Sequence, residues 1–336
     1  MSRGMTKHTG ARIPLPSIVV RLALILSVIA VMAIIIIIIT TSTANSMISA
    51  PKNELPNIPS NILPQYSPTS FKSFDNQTNL SGWFFKTDNP KSTVIIVHGT
   101  ASNRIPFNVD MVDLIEDFLN EGFNVFLFDQ RNSGESEGAT SGFGYMEWKD
   151  VIGAIDHVRK ISVTTDVILY GIGSGCSASL IAMDKLPIAG EYGTEYGEDI
   201  LSLLFDRSYI AGLILDSPAK FADDYIRPLV IKEFALGFFT QYFVPYAIRI
   251  SSGESDNYNL AAEIARLSVP VCILYGDRDI FIGTDNIEQI VLERERLHPS
   301  TSFSKKFGGA GYLESFAIEP TEYRAAIIEF MNTHFK

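Results

Sequence analysis

The sequence is poor in the residues that usually announce chemistry. It has two cysteines, Cys176 and Cys272, and five histidines in 336 residues. No C-x-x-C pair or Cys/His ligand spacing occurs, which argues against structural zinc, and no metal or other cofactor is expected. Cys272 lies in an apolar strand pattern and Cys176 in a small-residue helix start. Both read as buried free thiols, because cysteine behaves as a small hydrophobe. Positive charge is also scarce. With 27 Lys and Arg against 38 Asp and Glu, the net charge of -11 gives no footing for nucleic acid as a partner.

What is abundant comes first in the chain. Leu22 to Ile39 is an unbroken apolar and small-residue run, which Ile18 to Val20 extend. As a helix, those 18 residues span roughly 27 Å, close to the hydrocarbon thickness of a bilayer. A secretory-signal core is shorter, about 7–15 residues, so residues 17–40 read as an uncleaved transmembrane helix with the lipid bilayer as partner. The alternative, cleavage near Thr43-Ala44-Asn45-Ser46, stays open. Arg3, Lys7, Arg12 and Arg21 lie on the amino-terminal side, and the nearest cations beyond the run are Lys52 and Lys72. The positive-inside rule then puts segment 1–16 in the cytosol and the rest of the chain on the extracytosolic side. Residues 41–68, rich in Ser, Thr, Asn and Pro, read as an extended tether.

From residue 69 to 336 the pattern is that of one α/β domain. Two opening strands, SFKSF and LSGWFFK, precede buried-strand runs in STVIIVHGT, NVFLFDQ, DVILYGIG, GLILDSPA, VPVCILYGDRD and SFSKKF. Amphipathic helices fall at 111–122, 145–160 and 322–335. This alternation implies a mostly parallel sheet covered on both faces. It pauses over the aromatic-rich segment 220–268, read as a helical cap over the active site with ordinary packed helices as the alternative. A second insertion, about 186–208, carries Glu191, Glu195, Glu198 and Asp199 and reads as a solvated acidic loop.

Four motifs at strand ends carry a resemblance to the α/β-hydrolase superfamily. They are His98-Gly99-Thr100, the Asp129 to Ser136 loop DQRNSGES, Gly171-Ile172-Gly173-Ser174-Gly175, and Tyr275-Gly276-Asp277-Arg278-Asp279. Within the superfamily the chain looks most like the serine-aminopeptidase-like, Bem46-like membrane-anchored hydrolases. The resemblance implies an oxyanion hole from the N–H groups of Thr100 and Ser174, and it puts Asp279 at the position of the acid. It also places Gly173 where the family has its nucleophilic serine and Tyr312, in Gly309-Ala310-Gly311-Tyr312, where it has its histidine base. Glycine has no side chain to attack with. Tyrosine, titrating near ~10, is a poor acceptor of a hydroxyl proton at neutral pH. The expectation is a catalytically impaired fold whose pocket binds a small acyl or peptide ligand. Two alternatives remain: an active serine hydrolase using Ser174, or an interaction module presenting its acidic or aromatic insertion.

Overall fold

The computed structural model describes residues 17–59, 61–193 and 196–336. The expected cytosolic segment 1–16, with Arg3, Lys7 and Arg12, lies outside the described residues, as does Glu195 of the acidic insertion. The strands are β1 (Tyr66–Lys72), β2 (Asn79–Phe85), β3 (Ser92–Val97), β4 (Phe123–Phe128), β5 (Val167–Ile172), β6 (Ile210–Asp216), β7 (Val271–Gly276) and β8 (Ser302–Phe307). Before and between the first strands come α1 (Ser17–Ile48), α2 (Met111–Asn120), α3 (Trp148–Ile161), α4 (Ser174–Lys185) and α5 (Glu198–Leu201). After β6 come α6 (Arg227–Glu233), α7 (Gly237–Thr240), α8 (Val244–Ser251), α9 (Leu260–Arg266), α10 (Thr284–Leu297), α11 (Ser315–Ile318) and α12 (Pro320–His334).

One eight-stranded sheet runs in the order β1-β2-β4-β3-β5-β6-β7-β8. β2 is antiparallel to β1 and β4, and every pairing from β4 to β8 is parallel. This is the α/β-hydrolase fold. The inner parallel strands are mostly apolar because both faces are covered, whereas the edge strand β8 carries Ser304, Lys305 and Lys306. Ile95 and Val97 join one core and Val94 and Ile96 the other. On the second face, Met111, Leu114, Ile115 and Phe118 of α2 recur at helical spacing and are buried.

The chain leaves β3 for β4 on one side, then crosses back to place β5 on the other. The carboxyl ends of β3 and β5 therefore form the topological switch point, where a crevice opens in sheets of this kind. Val97 pairs with Gly171 and Ile172 with Asp216, so the turns after β3, β5 and β6 begin side by side.

The tether reading needs correction. The first helix does not end at residue 40 but continues to Ile48, and β1 begins at Tyr66. Thr40, Thr43, Ala44, Met47 and Ile48 lie at i, i+3, i+4, i+7 and i+8, and all five are buried. The Ser/Thr composition read as linker is a helix with one face against the domain. Beyond it the chain is still not free. Ser141 N–H donates to the Ile48 carbonyl (2.8 Å), the Asn132 side-chain amide to Ala50 (3.0 Å) and Asn53 to Ala101 (2.9 Å). Asn132 itself takes a φ of +55°, a region that Asn is among the few side chains to tolerate.

Candidate functional site

The turn after β5 is sharp because its residues are small. Gly173 caps α4 at φ 56°, ψ -124°, a conformation that costs a residue with a Cβ about 1–3 kcal/mol. Gly175 packs so closely on the Val97 carbonyl that no side chain fits. A Cβ added at Gly173 would lie 2.5 Å from the Tyr312 hydroxyl oxygen and 3.2 Å from Leu313 Cδ1. Gly173 and Tyr312 are thus brought together, and the tyrosine side chain fills the space a nucleophile would need.

Ser174 opens α4, and its Oγ is turned toward the β3 turn. It accepts a hydrogen bond from Thr100 N–H (2.7 Å) and lies 3.0 Å from Thr100 Oγ1. The donor expected to receive a substrate oxyanion is occupied by a serine of the same chain. The N–H of Ser174 itself begins the helix and has no partner within it.

Asp279 follows β7 and is 2% exposed. Its Oδ1 accepts from the N–H groups of Phe281 and Ile282, both at 2.8 Å, while its Oδ2 is buried without a partner among the described residues. Burial raises its pKa, and the backbone N–H groups pull it back. Asp279 is not in the cavity wall; Phe281 is, and its ring stacks on Tyr312 at 4.3 Å between centroids. Burial, with the nearby Cys176, Asp279 and Asp216, pushes the Tyr312 hydroxyl well above the ordinary tyrosine value, so it stays protonated at neutral pH.

No histidine among the described residues lines the cavity beside Tyr312. His98 Nε2 accepts from Gln130 N–H (3.0 Å), so Nδ1 carries the proton and donates to the Gly99 carbonyl (2.8 Å). Burial lowers its pKa, and the neutral ring ties the β3 turn to the Asp129 loop. His157 bonds Thr69 and stacks on Phe71, His298 faces the Ala265 carbonyl, and His334 lies against Phe330. Both cysteines are buried and free, and burial raises both thiols well above their ordinary value, leaving Cys176 inert.

These turns border a cavity of ≈ 510 Å³. Its floor is Thr100, Ile172 and Ser174, one wall is Phe281, Tyr312 and Leu313, and Tyr225, Leu229 and Phe234 come from the segment read as a cap. Met47 and Ala50, from the end of α1 and the stretch after it, also line it. The sequence reading missed these two, although the period of buried residues from Thr40 to Ile48 was there to be read. The lining is mostly apolar, as in sites for small organic molecules.

Beneath the turn after β5 lies a buried hydrogen-bond network centred on Asp216. Asp216 accepts from Tyr323 Oη (2.7 Å) and Ser217 Oγ (2.9 Å), and Tyr323 also meets the Tyr170 hydroxyl. Burial raises Asp216 from 3.8 to about 6, partly offset by the two hydroxyls and increased by Asp279. The folded state thus holds this proton more tightly than the unfolded chain. That contribution to stability is complete below about pH 4 and is lost as pH rises through about 6. Asp216→Asn should remove about 3 kcal/mol of this pH-dependent change, leaving the same-sign parts from Glu147, Asp224 and Asp279, whose pKa values burial also raises. Thermal unfolding at intervals from pH 4 to 7 checks it, and an unchanged slope in the variant refutes it.

No family model matches the chain. Among curated proteins it is similar to the uncharacterized protein YfhR of Salmonella typhimurium, 28% identical over 268 residues that cover 76% of this chain and 78% of that one. The Escherichia coli K12 protein of the same name is 33% identical over 105 residues, 29% of this chain and 35% of that one. Among solved structures, the Pyrococcus furiosus esterase Pf2001 superposes with a TM-score of 0.63 at 20% identity, covering 86% of this chain and 99% of that one. Est1E from Butyrivibrio proteoclasticus, with ferulic acid bound, gives 0.57 at 16%, covering 79% and 99%. At these identities the likeness establishes the fold alone, an α/β-hydrolase scaffold.

Proposed function

We propose that this chain is a single-pass, membrane-anchored protein of the serine-aminopeptidase-like group. In this reading its hydrolase domain binds an acyl or peptide ligand without hydrolysing it, and the amino terminus is cytosolic. The observation that carries the proposal is the Tyr312 hydroxyl 2.5 Å from where a side chain on Gly173 would begin. A site without nucleophile or base, and with Ser174 bonded into the position of the oxyanion, keeps a pocket but lacks the parts for acyl transfer. In this reading Asp279 takes the acid position with no base to orient, and its buried Oδ2, without a partner among the described residues, supports that reading.

The full chain in detergent should give no covalent adduct with a fluorophosphonate probe and no hydrolysis of p-nitrophenyl butyrate above buffer. It should bind a fluorescent fatty-acid analogue, and Leu229→Trp, which fills the cavity, should weaken that binding several-fold. Labelling lost in Ser174→Ala would instead establish the active-serine reading. Absence of both labelling and binding would leave the interaction-module reading.

A further inference from the structure

The segment between Glu233 and Arg249 contains no charged residue, and much of it faces outward. Phe238 is 69% and Tyr242 71% exposed, with Leu236, Phe239, Phe243 and Tyr246 exposed beside them. Arg249, which ends the stretch, lies over the Tyr246 ring (5.4 Å to its centroid) with its charge paired to Asp223 at 2.7 Å. A contiguous apolar surface of this kind on a folded domain marks a contact site. Its position shows which contact.

α8 packs along α1, and the two enclose a groove of ≈ 750 Å³. On the α1 side the groove runs from Ala33 to Asn45, and on the α8 side Phe243, Tyr246 and Ile250 line it. Ala33, Ile36 and Ile37 belong to the apolar run that ends at Ile39. From Leu22 to Ile39 that run is about 27 Å long, and with Ile18 to Val20 beyond Arg21 about 33 Å, enough to span the hydrocarbon once. The groove starts about 9 Å before the end of the run. The aromatic side chains of α8 therefore stand at the same height as the last turns of the membrane helix. Side chains there cannot avoid lipid if α1 spans.

We propose that the α7–α8 face is a second membrane contact, lying in the boundary between headgroups and acyl chains beside α1. The depth of about 9 Å matches the burial of interfacial helices, about 5–10 Å. Two exposed tyrosines among phenylalanine and leucine are the composition of the interfacial aromatic belt. Bilayer acyl chains fill the groove between α1 and α8. The partner is the lipid surface, not a soluble protein, because the patch is continuous with the segment that needs lipid.

The inference rests on α1 crossing the bilayer, so the experiment reads the two separately. Tyr242→Cys, Phe238→Cys, Ile29→Cys and Val163→Cys are each labelled with an environment-sensitive fluorophore in the full chain, the buried native cysteines being unreactive. Each is reconstituted into phosphatidylcholine vesicles with and without doxyl-labelled lipid. Ile29 reports the membrane helix, and Val163, 83% exposed at the opposite end of the sheet, reports bulk water. The expected result is quenching at 238 and 242 several-fold above that at 163 and nearest that of headgroup-proximal doxyl positions. Quenching at 29 but only the background of 163 at 238 and 242 overturns this proposal and leaves the anchor intact. Background quenching at all four sites overturns both. Self-quenching between labels at 242 without lipid quenching would show a second copy on this face and also overturn it.

Discussion

Combining Gly173→Ser, Tyr312→His and Ser174→Ala is expected to yield a protein that hydrolyses short-chain esters, where the parent is expected to hydrolyse none. Each change answers one feature of the site. Gly173→Ser restores a nucleophile on a backbone already held at φ 56°, ψ -124°. Tyr312→His removes the hydroxyl that stands 2.5 Å from the new Cβ and supplies a base. Asp279 Oδ2, now buried without a partner, is free to accept from the imidazole and fix its tautomer. Ser174→Ala releases Thr100 N–H from the serine oxygen that occupies it. One oxyanion donor is worth on the order of 10²–10³ in turnover, so the triple variant should exceed the double lacking Ser174→Ala by about that factor. Gly173→Ser alone should be inactive and less stable by about 1–3 kcal/mol, since it combines the strained backbone with the Tyr312 clash. Hydrolysis of p-nitrophenyl butyrate by the purified variants, with Asp279→Ala added as control, is the measurement. A folded triple variant without activity would refute the assignment of these positions.

Arg104→Ala should be the most damaging single substitution near the site. Arg104 is 2% exposed and gives Asp129, fully buried, its Nε (3.0 Å) and Nη2 (2.5 Å) hydrogen bonds. The Asp129 carboxylate also accepts from the N–H groups of Arg104 (2.7 Å) and Glu135 (2.9 Å). Removing the guanidinium leaves a buried carboxylate without its counter-charge, which costs about 3–5 kcal/mol. For a domain of this size that lowers Tm by roughly 6–20 °C. Arg104→Lys keeps the charge but loses the two-pronged geometry and should fall between the two. Asp129 begins the loop whose Gln130 holds His98, so the β3 turn should loosen as well. Thermal unfolding of the solubilised chain decides it, and a Tm within a degree of the parent would show that the pair carries no net stability.

Much of this architecture was legible in the residues. Strands such as VILYGI and VCILYG are apolar throughout because helices cover both faces, so their runs were readable without alternation. The strand-end motifs were legible because each needs small or special residues at a turn. The meeting of Gly173 with Tyr312 was an expectation from motif order, but the fit of the tyrosine into the vacated space was not. That fit depends on the Phe281 stack and on Leu313 at φ 58°, neither of which leaves a pattern. The direction of Ser174 Oγ likewise depends on two turns 74 residues apart. The end of α1 was misread for a different reason. Ser and Thr are common in linkers, and their composition hid the helical period of Thr40, Thr43, Ala44, Met47 and Ile48.

The stitching of residues 48–54 onto the domain sets how the protein meets anything else. The Ile48, Ala50 and Asn53 contacts, with Asn103 donating to the Glu54 carbonyl (2.8 Å), leave no length of chain to act as a swivel. In a bilayer, such a domain does not sample a hemisphere on a leash. If α1 spans, the domain is carried at a fixed height, and the cavity that Met47 and Ala50 line stays near the lipid. Encounters are then two-dimensional: a ligand or partner already confined to the same membrane reaches the cavity by lateral diffusion alone, whereas one in solution must arrive from the side that the helix leaves open.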